Sequence, residues 1–140
     1  MISNRSIPDA DIIPVLAYAD VNQAAAWLRE AFGFSVRVKI GAHRVQMNAG
    51  RAAVIVREYR AGEEGAQLGL GVYIMFRVED VDAHCAHARK HGAEIMSEPQ
   101  TYPYGERQYA AKDYAGYAWT FSQSVADVDP DEWGAVCDRV

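Results

Sequence analysis

Apolar and polar positions fall into the same order twice along this chain. Ile12, Ile13, Val15, Leu16 and Tyr18 make a short apolar run that leads into Asp20 and Val21. Val72, Tyr73, Ile74, Met75, Phe76 and Val78 make a second run that leads into Asp80 and Val81. Runs of this length, rich in β-branched and aromatic side chains, predict strands over 12–18 and 72–78. Each aspartate stands where a helix N-cap belongs, its carboxylate placed to accept from the free amides of a first turn. Behind the first cap, Val21, Ala24, Ala25, Leu28, Ala31 and Phe32 recur at helical spacing as one apolar stripe. Behind the second, Val81, Cys85 and Ala88 make a shorter one. Gly33 and Gly92 stop the two helices, because glycine adopts the left-handed conformation without a Cβ clash.

Three strands are predicted after each helix: 34–40, 43–48 and 52–58, then 94–97, 106–112 and 118–123. Turn residues separate them, including Gly41, Gly50, Pro99 through Gly105, and Asp113 through Gly116. The chain therefore reads as one α+β domain over 1–140, made of two tandem strand–helix–strand–strand–strand modules. The modules run over about 12–58 and 70–123, with a linker over 60–69. A short C-terminal helix over 130–137 is predicted from Asp129, Pro130 and Glu132, which supply a cap, a first-turn proline and a capping-box glutamate. It carries Trp133 and Val136, whose apolar side needs cover from its own sheet or from a partner subunit.

Composition narrows the function. Of the 140 residues 50% are apolar and 24% charged, the balance of an ordinary globular protein. The net charge of −5 is spread over well-mixed acidic and basic residues. No basic stripe is present to neutralise phosphates, and no basic amphipathic helix to lie on a membrane, so neither nucleic acid nor membrane is an expected partner. Cys85 and Cys137 give no disulfide framework, and the start of the chain has no signal-like pattern, so a cytoplasmic setting is expected. Small-molecule chemistry is the class that remains.

The motifs carry a resemblance. Ile13-Pro14-Val15-Leu16-Ala17-Tyr18-Ala19-Asp20, followed by Ala31-Phe32-Gly33-Phe34, is similar to the first module of the vicinal oxygen chelate superfamily of glyoxalase, bleomycin-resistance and dioxygenase proteins. Gly105-Glu106-Arg107, then Asp113 through Gly116 and Trp119-Thr120-Phe121, resembles that family's closing hairpin. The resemblance implies two βαβββ modules in a curved half-open barrel around a cavity, and a homodimer. It also implies that a metalloenzyme of the family would take its ligands from the first and last strands of each module. The matching positions are Ile13, Tyr73, Val56 and Thr120. A one-residue slip gives Pro14, Ile74, Ile55 or Arg57, and Trp119 or Phe121. None of these is a customary divalent-metal ligand, so no metal and no other cofactor is expected.

Strand alternation puts Tyr73, Met75, Val54, Val56, Thr120 and Ser122 on the concave face. They either line an apolar pocket with a phenol and two hydroxyls or fill a closed core. Arg107 and Tyr109 extend that face, Arg107 as partner of an anionic group or of Glu106 or Asp113. Tyr102 and Tyr104 are placed to stack on a planar ligand. His84, His87 and His91 are expected to face water or a subunit boundary, Trp27 the core rim or a dimer surface, and Cys85 the core. The leading expectation is metal-independent binding of a small organic molecule. The alternatives are a lyase or isomerase of unknown substrate, either using Arg107, Tyr73 or His43 as acid–base groups or holding a divalent metal at positions other than those matched, and a protein-binding module.

Overall fold

The computed structural model describes residues 2–63 and 71–137, in two compact units, Met1–Leu70 and Gly71–Val140. Most of the expected linker, 64–69, lies outside the described residues. The fold is α+β, and each unit holds one helix and one four-stranded mixed sheet.

In the first unit β1 (Val15–Tyr18) leads to α1 (Val21–Phe32), then β2 (Ser35–Ile40), β3 (Arg44–Ala49) and β4 (Ala52–Glu58). The strand order is β1-β4-β3-β2, with β1 parallel to β4 and the other pairs antiparallel. The second unit repeats it: β5 (Ile74–Arg77), α2 (Val81–Lys90), β6 (Glu94–Thr101), β7 (Glu106–Lys112) and β8 (Ala118–Ser124), in the order β5-β8-β7-β6. Asp20 caps α1 by accepting from Gln23 N at 3.0 Å, and Asp80 caps α2 by accepting from Ala83 N at 3.1 Å. Gly33 closes α1 at φ +82°, its amide returning to Arg29 O.

Both stripes read from the sequence are buried: Val21, Ala24, Ala25, Leu28, Ala31 and Phe32 on α1, and Val81, Cys85 and Ala88 on α2. Facing α2 are Tyr109, Trp119 and Phe121, each 1% exposed or less. Side chains buried to this degree contribute about 1.5–3 kcal/mol each through removal of apolar surface from water. Trp27 is half-buried with its ring edge-on to Phe32 at 4.9 Å, a core-rim position. Burial raises the thiol pKa of Cys85, which keeps it a protonated core residue.

Three elements depart from expectation. β1 and β5 begin later than read, at Val15 and Ile74. β6 continues through Pro99 to Thr101, because it is an edge strand whose register shifts after Ile95 and Ser97, and an edge tolerates a residue without an amide hydrogen. The C-terminal helix is a single 3-10 turn, Pro130–Trp133, capped by Asp129 and ended by Gly134 at φ +87°. A left-handed glycine that soon leaves no length for the expected helix.

Candidate functional site

Each sheet has one face against its helix and a far face turned away from it. In the second unit the helix side is fixed by contact. His84 of α2 lies 4.3 Å from the Phe121 ring, and its Nδ1 shares a hydrogen bond with the Tyr109 hydroxyl at 2.5 Å. Residues directly opposite one another in a ladder share a face, and Tyr109 pairs with Phe121 as Ala111 pairs with Trp119. The far face therefore carries Thr120 and Ser122 from β8, Glu106, Gln108 and Ala110 from β7, and Met75 and Arg77 from β5.

Of the residues expected at a ligand site, Met75, Thr120 and Ser122 share this far face, and Tyr73, just ahead of β5, is close enough to Tyr104 to act on its phenol. Tyr73 and Met75 are 58% and 54% exposed, while Ser122 is 3% exposed. Arg107 and Tyr109 are corrected to the helix side. The Arg107 guanidinium is held by Asp82 of α2, with Nε–Oδ2 3.1 Å and a second nitrogen to Oδ1 at 3.0 Å, and it donates to Thr101 Oγ1 at 3.0 Å. Tyr109 is packed between His84 and Phe121, and burial pushes its phenol pKa well above the ordinary value. Val56 is corrected too. It pairs with Leu16 as Phe121 pairs with Phe76, so Val56 belongs to the helix side with Val45, and Ile55 is the counterpart of Thr120. His84 turns into the core rim instead of facing water, while the His87 and His91 rings lie 4.3 Å apart.

On the far face of the second sheet a chain of polar groups joins the strands to an aromatic cluster. Tyr104 OH donates to Gln108 Oε1 at 3.2 Å, and Gln108 Nε2 donates to Ser122 Oγ at 3.0 Å. Ser122 Oγ–H then donates to Glu106 Oε1 at 2.7 Å. Arg77 donates to Ser124 Oγ at 2.7 Å beside them. Desolvation pushes the Glu106 carboxyl pKa up, but bonds from Ser124 and Ser122 and the nearby Arg77 charge outweigh it. The net direction is downward, so Glu106 is ionised at neutral pH. Burial raises the Tyr104 phenol pKa, with Tyr102, Glu106 and Tyr73 adding to the effect.

The rings stand above this chain. Tyr102 and Tyr104 stack in parallel, 6° apart with centroids at 5.4 Å, and Trp133 leans on Tyr104 at 5.2 Å and 53°. Gly105, between Tyr104 and Glu106, fastens the C-terminal segment by accepting from Val125 N at 2.8 Å and Ala126 N at 3.3 Å. Glu106, Gln108, Arg77 and Trp133 were not read as site residues from the sequence. The alternation along β7 was legible, but which parity faced the helix was not.

The first unit uses its far face differently. Gln46, 3% exposed, pairs with Ile55 on that face and donates from Nε2 to Ser6 O at 2.8 Å. Arg37 donates to Gln46 Oε1 at 2.5 Å and to Arg5 O at 2.8 Å. The N-terminal segment is thereby strapped across the sheet. A cavity of about 580 Å³ beside it is lined by the strap itself, including Ile7, Asp9, Asp11 and Ile13, with Arg37, and by none of the expected site residues. Replacing Gln46 with leucine removes the donor to the Ser6 carbonyl and one of the two acceptors of Arg37, and is expected to cost about 1–3 kcal/mol. Faster amide exchange over residues 5–8 in the variant, with α1 still protected, is the expected reading.

The duplicated βαβββ order defines a class, and comparison with known proteins agrees with it. The chain belongs to the Glyoxalase/Bleomycin resistance protein/Dioxygenase superfamily, whose sequence profile matches residues 13–121. TioX from Micromonospora sp. ML1 is similar at 27% identity and TM-score 0.68, covering 86% of this chain and 100% of that one. A glyoxalase/bleomycin resistance protein/dioxygenase family enzyme from Burkholderia phytofirmans PsJN is similar at 15% identity and TM-score 0.69, over 80% of this chain and 96% of that one. A glyoxalase/bleomycin resistance protein from Streptomyces sp. CB03234 matches at 20% identity and TM-score 0.63, over 79% and 97%. No protein of curated function matches the sequence.

The divalent metal of the family's metalloenzymes does not fit the residues present. Ile13 and Tyr73, just ahead of β1 and β5, and Ile55 and Thr120 on β4 and β8 are the counterparts of the positions that would supply ligands, and no carboxylate, imidazole or amide is among them. Among the described residues no three His, Cys, Asp or Glu side chains group closely enough to hold a metal ion. Among the described residues, too, no helix is long and apolar enough to cross a membrane.

Proposed function

We infer that this protein binds a small planar organic molecule, without a metal, on the far face of its second sheet. The observation that carries the reading is the Tyr102–Tyr104–Trp133 cluster set directly beside the Gln108–Ser122–Glu106 chain. Stacked rings offer a large apolar surface that loses little conformational freedom on binding, and the hydrogen bond to Gln108 holds Tyr104 in one orientation. Apolar area with a few fixed polar groups is the usual composition of a small-molecule site.

A lyase or isomerase reading draws less support. It needs an acid–base group placed beside the rings to take up or give up a proton. Arg107, offered for that role by its place in the sequence, is engaged with Asp82 on the opposite face.

The test is a calorimetric titration with quinoline as a neutral planar probe. The wild type is expected to bind it. Tyr104→Ala is expected to weaken binding by about ten-fold, a stacking contribution near 1.4 kcal/mol. No heat of binding to the wild type, or equal affinity in the folded variant, would count against the reading.

A further inference from the structure

The charges around the aromatic cluster deepen that reading. Glu106 accepts from neutral hydroxyls, and among the described residues no ion pair includes it. Its carboxylate is part-exposed and has lone-pair capacity beyond the serine bonds. Arg77 shares Ser124 with Glu106 and its charge helps lower the carboxyl pKa, but it stands on β5, with β8 between it and β7, on the side away from the rings. Lys112 stands at the opposite end of β7, paired with Ala118. Arg107, the cation that would have selected an anion, lies on the other side of the sheet with Asp82. Between Arg77 and the rings stands one ionised carboxylate, fixed by Ser122 and, through Ser122 and Gln108, in line with the Tyr104 hydroxyl.

Aromatic faces are electron-rich and attract a cation held over them, most strongly when the cation is poorly hydrated. A carboxylate at the rim of such rings adds attraction for the same charge and repels an anion. We propose that the site takes an organic cation, a planar ring bearing a permanent positive charge, with its ring against Tyr104 and Trp133 and its charge toward Glu106. The proposal rests on the reading that this face binds a planar molecule, and adds the sign of the charge.

Three probes of nearly one shape separate the two statements: N-methylquinolinium, quinoline, and quinoline-2-carboxylate, titrated calorimetrically at mildly alkaline pH. The wild type is expected to bind N-methylquinolinium about ten-fold or more tighter than the carboxylate, with quinoline between them. Glu106→Gln keeps an acceptor for Ser122 and is expected to bring cation and anion within about three-fold of each other. If quinoline binds and the carboxylate binds as tightly as the cation, the charge assignment falls while the planar-ligand reading stands. If none of the three binds, both fall. Should Glu106→Gln not fold, the wild type decides alone. Raising salt from about 20 to about 200 mM shortens the screening length and is expected to weaken the cation and spare quinoline. A cation affinity indifferent to salt would overturn the assignment.

Discussion

Asp113→Ala is expected to lower the stability of this protein by about 3–4 kcal/mol, read as a shift of the urea midpoint. Asp113 is 3% exposed, and its carboxylate organises the whole β7–β8 turn. Oδ1 accepts from Ala115 N and Tyr117 N, both at 3.0 Å, and Oδ2 accepts from Trp119 Nε1 at 3.2 Å. Alanine removes the acceptor and leaves three donors without it, one of them the indole of the largest fully buried side chain. Bonds to a charged acceptor are worth about 1.5–3 kcal/mol each, but turn relaxation and water recover part of the loss at the two amides. Asp113→Asn is expected to fall between, because it keeps the oxygen for the turn but presents an amide nitrogen to the indole. An alanine variant within about 1 kcal/mol of wild type would mean the turn is held by something other than this carboxylate.

Gly105→Ala is the second large effect, about 2–3 kcal/mol, combining backbone strain with a steric clash. Gly105 sits at φ +84°, and a Cβ built there would meet Ala126 O at 2.5 Å and Val128 Cγ2 at 2.9 Å. One of those atoms is backbone and cannot rotate away. The segment that must yield is the one Gly105 O fastens through Val125 and Ala126. The variant is therefore expected to show faster amide exchange at Val125 and a changed Trp133 emission, beyond its lower midpoint. Unchanged exchange at Val125 would show that the turn, not the tail, absorbs the methyl group.

The duplicated architecture was legible because its signals are local. Asp20 and Asp80, the stripes from Val21 to Phe32 and from Val81 to Ala88, and Gly33 each act within a few residues of themselves. The helix-facing parity of β7 was not local. Arg107 and Tyr109 were read onto the face of Thr120 because hairpin register decides it, and Tyr109 opposite Phe121 is a pairing across the sheet. The same holds for Val56, where a one-residue slip exchanged it for Ile55. Pro99 read as a stop because nothing near it announces an edge strand. Glu106 and Gln108 carried no signal of their own, since their meaning comes from Ser122, sixteen and fourteen residues further on respectively. Tyr102 and Tyr104 were read as rings for a planar ligand and are found stacked on each other, and Trp133, expected to take cover from its own sheet or a partner subunit, leans on Tyr104.

The strap that ties Arg5 and Ser6 to Arg37 and Gln46 gives the duplication its asymmetry. The first copy hosts a piece of its own chain on its far face, while the far face of the second carries the Tyr102–Tyr104–Trp133 cluster, so the two faces are no longer equivalent. Divergence after duplication then needs no change of fold, only a terminal segment long enough to lie down on one half.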